Sequence, residues 1–181
     1  MTLYDQKQLN KILAEKFGIK NIMRVPRLVS VSVNAGIGRL AGDKGLIEKV
    51  AKDLSKITGQ KAIVTKSRKS ISAFKLRENM PVGVAATLRG KKAEDLVIKI
   101  INITLPRLRD FSGIKRTSLD GHGNLSIGFK EQVFFPEIRF EEVDKSFGLQ
   151  VNIKTSAKND EEAIGFFEAL GLPFKKEVKN G

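Results

Sequence analysis

The stretch Leu28-Val29-Ser30-Val31-Ser32-Val33-Asn34 alternates without a break, with Val29, Val31 and Val33 on one side and Ser30, Ser32 and Asn34 on the other. Successive side chains of a strand point to opposite faces. This period therefore allows a half-buried strand and argues against both an amphipathic helix and a strand buried on both faces. The design recurs along the chain. Ala62-Ile63-Val64-Thr65 reads as a short strand, and Val84–Arg89 turns Thr87 and Arg89 to one side. Asn124–Phe129 follows a turn, and Leu149–Lys154 sets Gln150, Asn152 and Lys154 opposite its apolar face. Four or five strands of this kind indicate an antiparallel or mixed sheet with helices on one side.

Helical spacing fills the intervals. Leu9, Ile12, Leu13 and Phe17 share one face of residues 5–17, and Leu46, Ile47, Val50, Ala51, Leu54 and Ile57 recur up to Gly59. Residues 93–105 carry Leu96, Val97, Ile100 and Ile101, with Pro106 near their end. Asn159 with Glu162 three positions on has the spacing of a capping box, ahead of Ile164, Phe167 and Leu170. No repeat or low-complexity segment interrupts this order. At 181 residues the chain fits one generous domain or two small ones, with a basic loop at about 66–83 long enough to project. The absence of cysteine removes disulfides, zinc knuckles and thiol chemistry. With no apolar run of the roughly 18–20 residues that span a membrane, the expectation is a soluble, cytoplasmic chain.

Charge is lopsided. Residues 1–92 hold 20 Lys and Arg against 6 Asp and Glu, whereas residues 93–181 hold 13 against 14. Within 61–92 there are 9 basic residues and a single acid, Glu78. Such a separation points to a polyanionic partner on one side of the molecule.

Several patterns invite other readings. Gly36-Ile37-Gly38-Arg39-Leu40-Ala41 satisfies the dinucleotide fingerprint. The strand before it alternates with serine, however, and the next strand leads to Lys66, where an acid is needed for ribose hydroxyls. His122, the only histidine, lies between Gly121 and Gly123 and reads as a turn residue. Glu137, Glu141, Glu142 and Asp144 read as a solvated face or a contact with a basic protein.

The functional signal lies in Lys61, Lys66, Arg68, Lys69, Lys75, Arg77, Arg89, Lys91 and Lys92, interleaved with Thr65, Ser67, Ser70, Ser72 and Thr87. Cations release counterions from phosphates, and hydroxyls bond phosphate or ribose. Phe74, Leu76, Met80, Pro81 and Val82 give the loop apolar contact atoms. With no Trp, one Tyr and eleven Phe mostly at core-like positions, base stacking is not expected as the main mode. Recognition of folded RNA by shape and backbone fits better.

The run Leu54-Ser-Lys-Ile-Thr-Gly-Gln-Lys-Ala-Ile-Val-Thr-Lys-Ser-Arg-Lys-Ser70 resembles the signature of the L-five family of large-subunit ribosomal proteins in its bacterial form. So do Ile71–Arg77, Met80–Gly83, Leu105–Phe111, Asp120–Asn124, Phe135–Ile138 and Leu170–Phe174; Leu119 stands where the family pattern has Phe. The resemblance implies a single α+β domain, 1–181, with a concave, mostly antiparallel sheet of about five strands and helices behind it. It implies a structural constituent of the large ribosomal subunit, not an enzyme, that attaches 5S ribosomal RNA in the central protuberance beside large-subunit ribosomal RNA and neighbouring 5S-associated proteins. By that resemblance Asn34, Gln60, Lys61, Thr65, Arg68, Ser70, Thr87 and Arg89 fall in the ribosomal-RNA-binding region, with Lys66 and Lys69 in the same basic run. Ser72, Lys75, Leu76, Arg77, Met80, Pro81 and Val82 fall in a loop that reaches peptidyl-site tRNA. A basic protein of the small-subunit head is the implied bridge partner. No cofactor or metal is implied.

Overall fold

The computed structural model describes residues 6–38, 44–74, 76–109, 111–143 and 145–175. Helices α1 (Gln6–Phe17), α2 (Lys44–Thr58), α3 (Lys91–Lys99) and α4 (Asp160–Ala169) accompany strands β1 (Leu28–Gly36), β2 (Ile63–Lys66), β3 (Pro81–Leu88), β4 (Leu125–Phe129) and β5 (Leu149–Thr155). The strands form one five-stranded sheet in the order β2-β3-β1-β5-β4. The fold is α+β, as the resemblance implies, and its sheet is the one the alternation indicates.

By contact density the chain divides into two compact units. One comprises Met1–Val31, Arg89–Ile127 and Asn152–Gly181; the other comprises Ser32–Leu88 and Gly128–Val151.

In the first unit α1 packs on α4. Leu9 and Leu13 are buried, while Ile12 is exposed because the helix turns only one stripe inward. Gly165 permits the approach of α1, since a Cβ there would collide with Cζ of Phe17. Phe166 and Phe167 are both fully buried, edge to face with centroids 5.4 Å apart. The Lys16–Glu168 pair at 3.0 Å is exposed on both sides and contributes about 0–1 kcal/mol.

The start of α4 departs slightly from the expected capping box. Asn159 Oδ1 accepts the Glu162 N–H at 3.1 Å, but the Glu162 carboxylate accepts the N–H of Lys158, at 3.1 Å, in place of that of Asn159. Asn159→Ala is expected to cost about 1 kcal/mol of stability, read as a shift of the urea midpoint at unchanged slope. No shift would mean that the cap is dispensable.

The helix expected over 93–105 is α-helical only to Lys99 and widens into a π turn over Ile100–Thr104. Pro106 has no N–H for the carbonyl four residues back, and its ring crowds that position. Leu105 N–H bonds Ile100 O, a reach of five residues.

In the second unit α2 packs on β3. Ile47, Val50, Leu54 and Ile57 on the helix, and Val84, Ala86 and Leu88 on the strand, are all buried. The opposite face of β3 is the open one. Phe129 and Phe135 build a second cluster, edge to face at 5.3 Å.

Candidate nucleic-acid interface

The turn from α2 into β2 is fixed by two hydroxyls. Ser55 Oγ donates to Ala51 O and accepts the Ala62 N–H at 2.9 Å. Thr58 Oγ1 donates to Leu54 O at 2.8 Å, and Gly59 takes φ +63°, a left-handed value that ends the helix. Gln60 and Lys61 are thereby held at one place on the surface. Gln60 Nε2 donates to the Thr87 carbonyl at 3.1 Å, bracing the turn against β3, and Lys61 is exposed.

β2 and β3 are antiparallel, with Ile63 opposite Ala85, Val64 opposite Val84 and Thr65 opposite Gly83. Paired residues share a face, so Thr65, Gly83 and Thr87 lie together on the side away from α2. Gly83 makes this patch possible. A Cβ there would stand 2.8 Å from Thr65 Oγ1, 3.2 Å from the Ala35 carbonyl and 3.6 Å from Asn34 Oδ1. The structure thus brings Asn34 and Thr65 to either side of a stretch of backbone that carries no side chain. Val64 and Val84 point the other way, toward α2.

The basic segment is more ordered than a projecting loop over 66–83 suggests. The register shifts between Thr65 and Lys66, so that Lys66 pairs with Pro81 and β3 begins three residues before Val84. Proline at a strand's first residue leaves no ladder donor wanting. Beyond it the hairpin continues: Ser67 N–H bonds Met80 O at 2.8 Å, Asn79 N–H bonds Ser67 O at 3.0 Å, and Ile71 and Leu76 exchange bonds of 3.0 and 3.1 Å. Ser67 Oγ donates to Lys69 O, and Ser70 Oγ accepts the Glu78 N–H at 2.9 Å. Ser70 is therefore already engaged in shaping the hairpin. Lys66, Arg68, Lys69, Ser70, Ser72 and Arg77 are exposed along it; Leu76 and Met80 are half-buried. Pro81 and Val82 belong to β3, where Val82 O accepts the Ile37 N–H at 3.1 Å. Lys75 lies outside the described residues. Arg89 is exposed directly after β3 and belongs to the first unit.

The other candidates resolve into structure. Asp120 does not orient His122's ring. Its carboxylate accepts the His122 N–H at 2.9 Å, the Asn124 N–H at 3.0 Å and Asn124 Nδ2 at 2.7 Å, closing a turn. The Asn124 amide, more than any other neighbour, holds this carboxyl below the usual 3.8. In the fingerprint-like segment, Arg39–Ala41 lie outside the described residues, as does Asp144 of the acidic cluster. Among the described residues no three His, Asp or Glu side chains group as metal ligands, and no helix is long and apolar enough to cross a membrane.

Sequence reasoning passed over two residues that shape this surface. Gly83 lies in a quoted motif, but its neighbours across the sheet are invisible to a one-dimensional reading. Gln132, 1% exposed, donates from Nε2 to Lys145 O at 3.1 Å and accepts the Phe147 N–H at 2.8 Å, pinning a loop thirteen to fifteen residues away.

The family pattern described as "Ribosomal protein L5" matches residues 21–77, and the pattern for the C-terminus of the same ribosomal family matches residues 81–174. The chain is 47% identical over 173 residues to the large ribosomal subunit protein uL5c of Gracilaria tenuistipitata var. liui, covering 96% of each chain. It is 47% identical to protein uL5 of Chloroflexus aggregans, over 93% of this chain and 94% of that one. Protein uL5 of Dictyoglomus thermophilum is 46% identical, over 97% of this chain and 100% of that one.

Proposed function

The chain belongs to the ribosomal protein L5 family, and from that premise we propose that its open sheet face and basic hairpin bind 5S ribosomal RNA and help attach it in the central protuberance. The family makes it a structural, non-enzymatic constituent of the large ribosomal subunit, working in the cytoplasm. One observation carries the finer reading. Asn34 and Thr65 flank the side-chain-free backbone at Gly83, Thr87 lies further along the same face of β3, and the exposed cations Lys61, Lys66, Arg68 and Lys69 lie in and next to β2. Hydroxyls, an amide and cations around such a strip suit a ribose–phosphate backbone, which offers acceptors and negative charge but little apolar surface.

The whole chain serves as one RNA-binding module, with Arg89 adding its charge after β3. The hairpin tip, Ser72–Met80 with Arg77 exposed, reaches peptidyl-site tRNA. Phe140, 79% exposed beside Glu141, supports contact of the second half with a basic protein of the small-subunit head. Neighbouring 5S-associated proteins and large-subunit ribosomal RNA complete its surroundings.

Replacing Arg68 and Lys69 together by Ala should weaken 5S RNA binding and flatten its logarithmic salt slope by about one unit per cation. Equilibrium titration at several salt concentrations reads both, and an unchanged slope counts against the reading. Arg77→Ala should spare 5S RNA and lower tRNA occupancy; equal loss of both would end that division of labour. On a sucrose gradient the protein should travel with large subunits.

A further inference from the structure

We propose that a groove lined by the hairpin is a stacking site for one unpaired RNA base, with the Phe74 ring as its platform. The inference rests on the RNA-binding reading above and adds a contact to bases, which the sheet face does not offer. Of the eleven Phe in the chain, all among the described residues, only Phe74 and Phe140 are exposed, and Phe74 is 72% exposed within the basic hairpin. An aromatic ring left this open forgoes the burial that its size would gain.

The groove is lined by Phe74, Leu76 and Val82, by Lys145–Gly148, and by Gly36 and Gly38. The Lys145–Gly148 wall is built in advance, because the buried Gln132 amide bonds both Lys145 and Phe147. Gly148 lets that wall close in, since a Cβ there would meet Phe129 O at 3.2 Å. The Ile37 N–H to Val82 O bond ties the glycine segment to β3. The result is a slot with an aromatic face, aliphatic flanks and peptide planes, the surfaces on which a heterocycle packs.

Charge decides between a base and an apolar peptide. Arg68, Lys69 and Arg77 stand exposed on the same hairpin against one acid, Glu78, and exposed Lys145 stands at the rim. These cations draw in a strand of phosphates, and an unstacked base is the flat apolar part that such a strand carries.

The chain has no Trp, so Phe74→Trp in the full protein places a single indole at the site. Its fluorescence should be quenched by a heptamer of adenylate, with an affinity roughly 5- to 100-fold above that for an abasic heptamer at the same salt. Phe74→Ala and Phe74→Leu, which carry no indole and are therefore read by isothermal titration with the same two heptamers, should both lose that preference. Equal quenching by the abasic heptamer, or by a heptamer of glutamate, overturns the proposal. Full retention in Phe74→Leu also overturns it, because apolar bulk without a ring would then suffice. Wild-type affinity for 5S RNA, titrated in parallel, tests the wider reading separately. If it is high while the base preference is absent, only the stacking site falls.

Discussion

Binding of 5S ribosomal RNA should fall about 10³-fold or more when monovalent salt rises from about 50 to about 200 mM. The estimate follows from the exposed cations along the proposed contact: Lys61, Lys66, Arg68, Lys69, Arg89 and Lys91. If each neutralises one phosphate at about 0.9 per contact, the logarithmic slope is roughly −5.4, and a fourfold rise in salt costs about three decades. Their exposure matters here, because a cation already buried against a carboxylate has few counterions to displace. Thr65, Asn34 and Thr87 add bonds that salt does not screen, so some affinity should survive. An equilibrium titration that loses less than about tenfold over this range would remove the cations from the binding mechanism.

The largest expected effect on stability is at Phe166. Its ring is fully buried and packs edge to face against Phe167. Removing it deletes a large apolar area and leaves a space that α1, held close at Gly165, fills only in part. Phe166→Ala should therefore cost about 3–5 kcal/mol, a large part of the roughly 5–15 kcal/mol that holds a domain together. Urea unfolding followed by far-ultraviolet circular dichroism measures it. Phe166→Leu, which keeps most of the volume, should cost clearly less. A loss under about 1 kcal/mol in the alanine variant would mean that the ring is not packed as described.

Alternation was a dependable guide along the middle of β1, though not in the short β2, where Ile63 is exposed. Val31 and Val33 are fully buried and Asn34 is exposed, as the pattern of β1 predicts. It failed at Val29, 41% exposed, near the start of the strand. The basic segment was legible as charge but not as shape. Ser67, Met80, Ile71 and Leu76 form rungs that depend on residues five to thirteen positions apart, and nothing in their order marks the pairing. Phe74 shows the same limit. Sequence gives an aromatic among basic residues, but only the folded hairpin decides whether that ring lies inside or out. Residues acting through a partner distant in the chain, such as Gln132 and Gly83, are the least visible, since a buried glutamine and a strand glycine have no local period.

The rungs of the hairpin also bear on how selective the RNA contact proposed above would be. Fixing one residue's backbone costs about 1–2 kcal/mol of conformational entropy, and a segment that folds only on contact bears that cost at the moment of association. Here the Ser67–Met80 and Ile71–Leu76 bonds are made within the protein itself. More of the attraction of its cations then remains for the complex, and docking resembles a key entering a lock more than a cord being wound around a post. A rigid key also rejects RNA of the wrong contour, so the same bonds that conserve affinity serve discrimination.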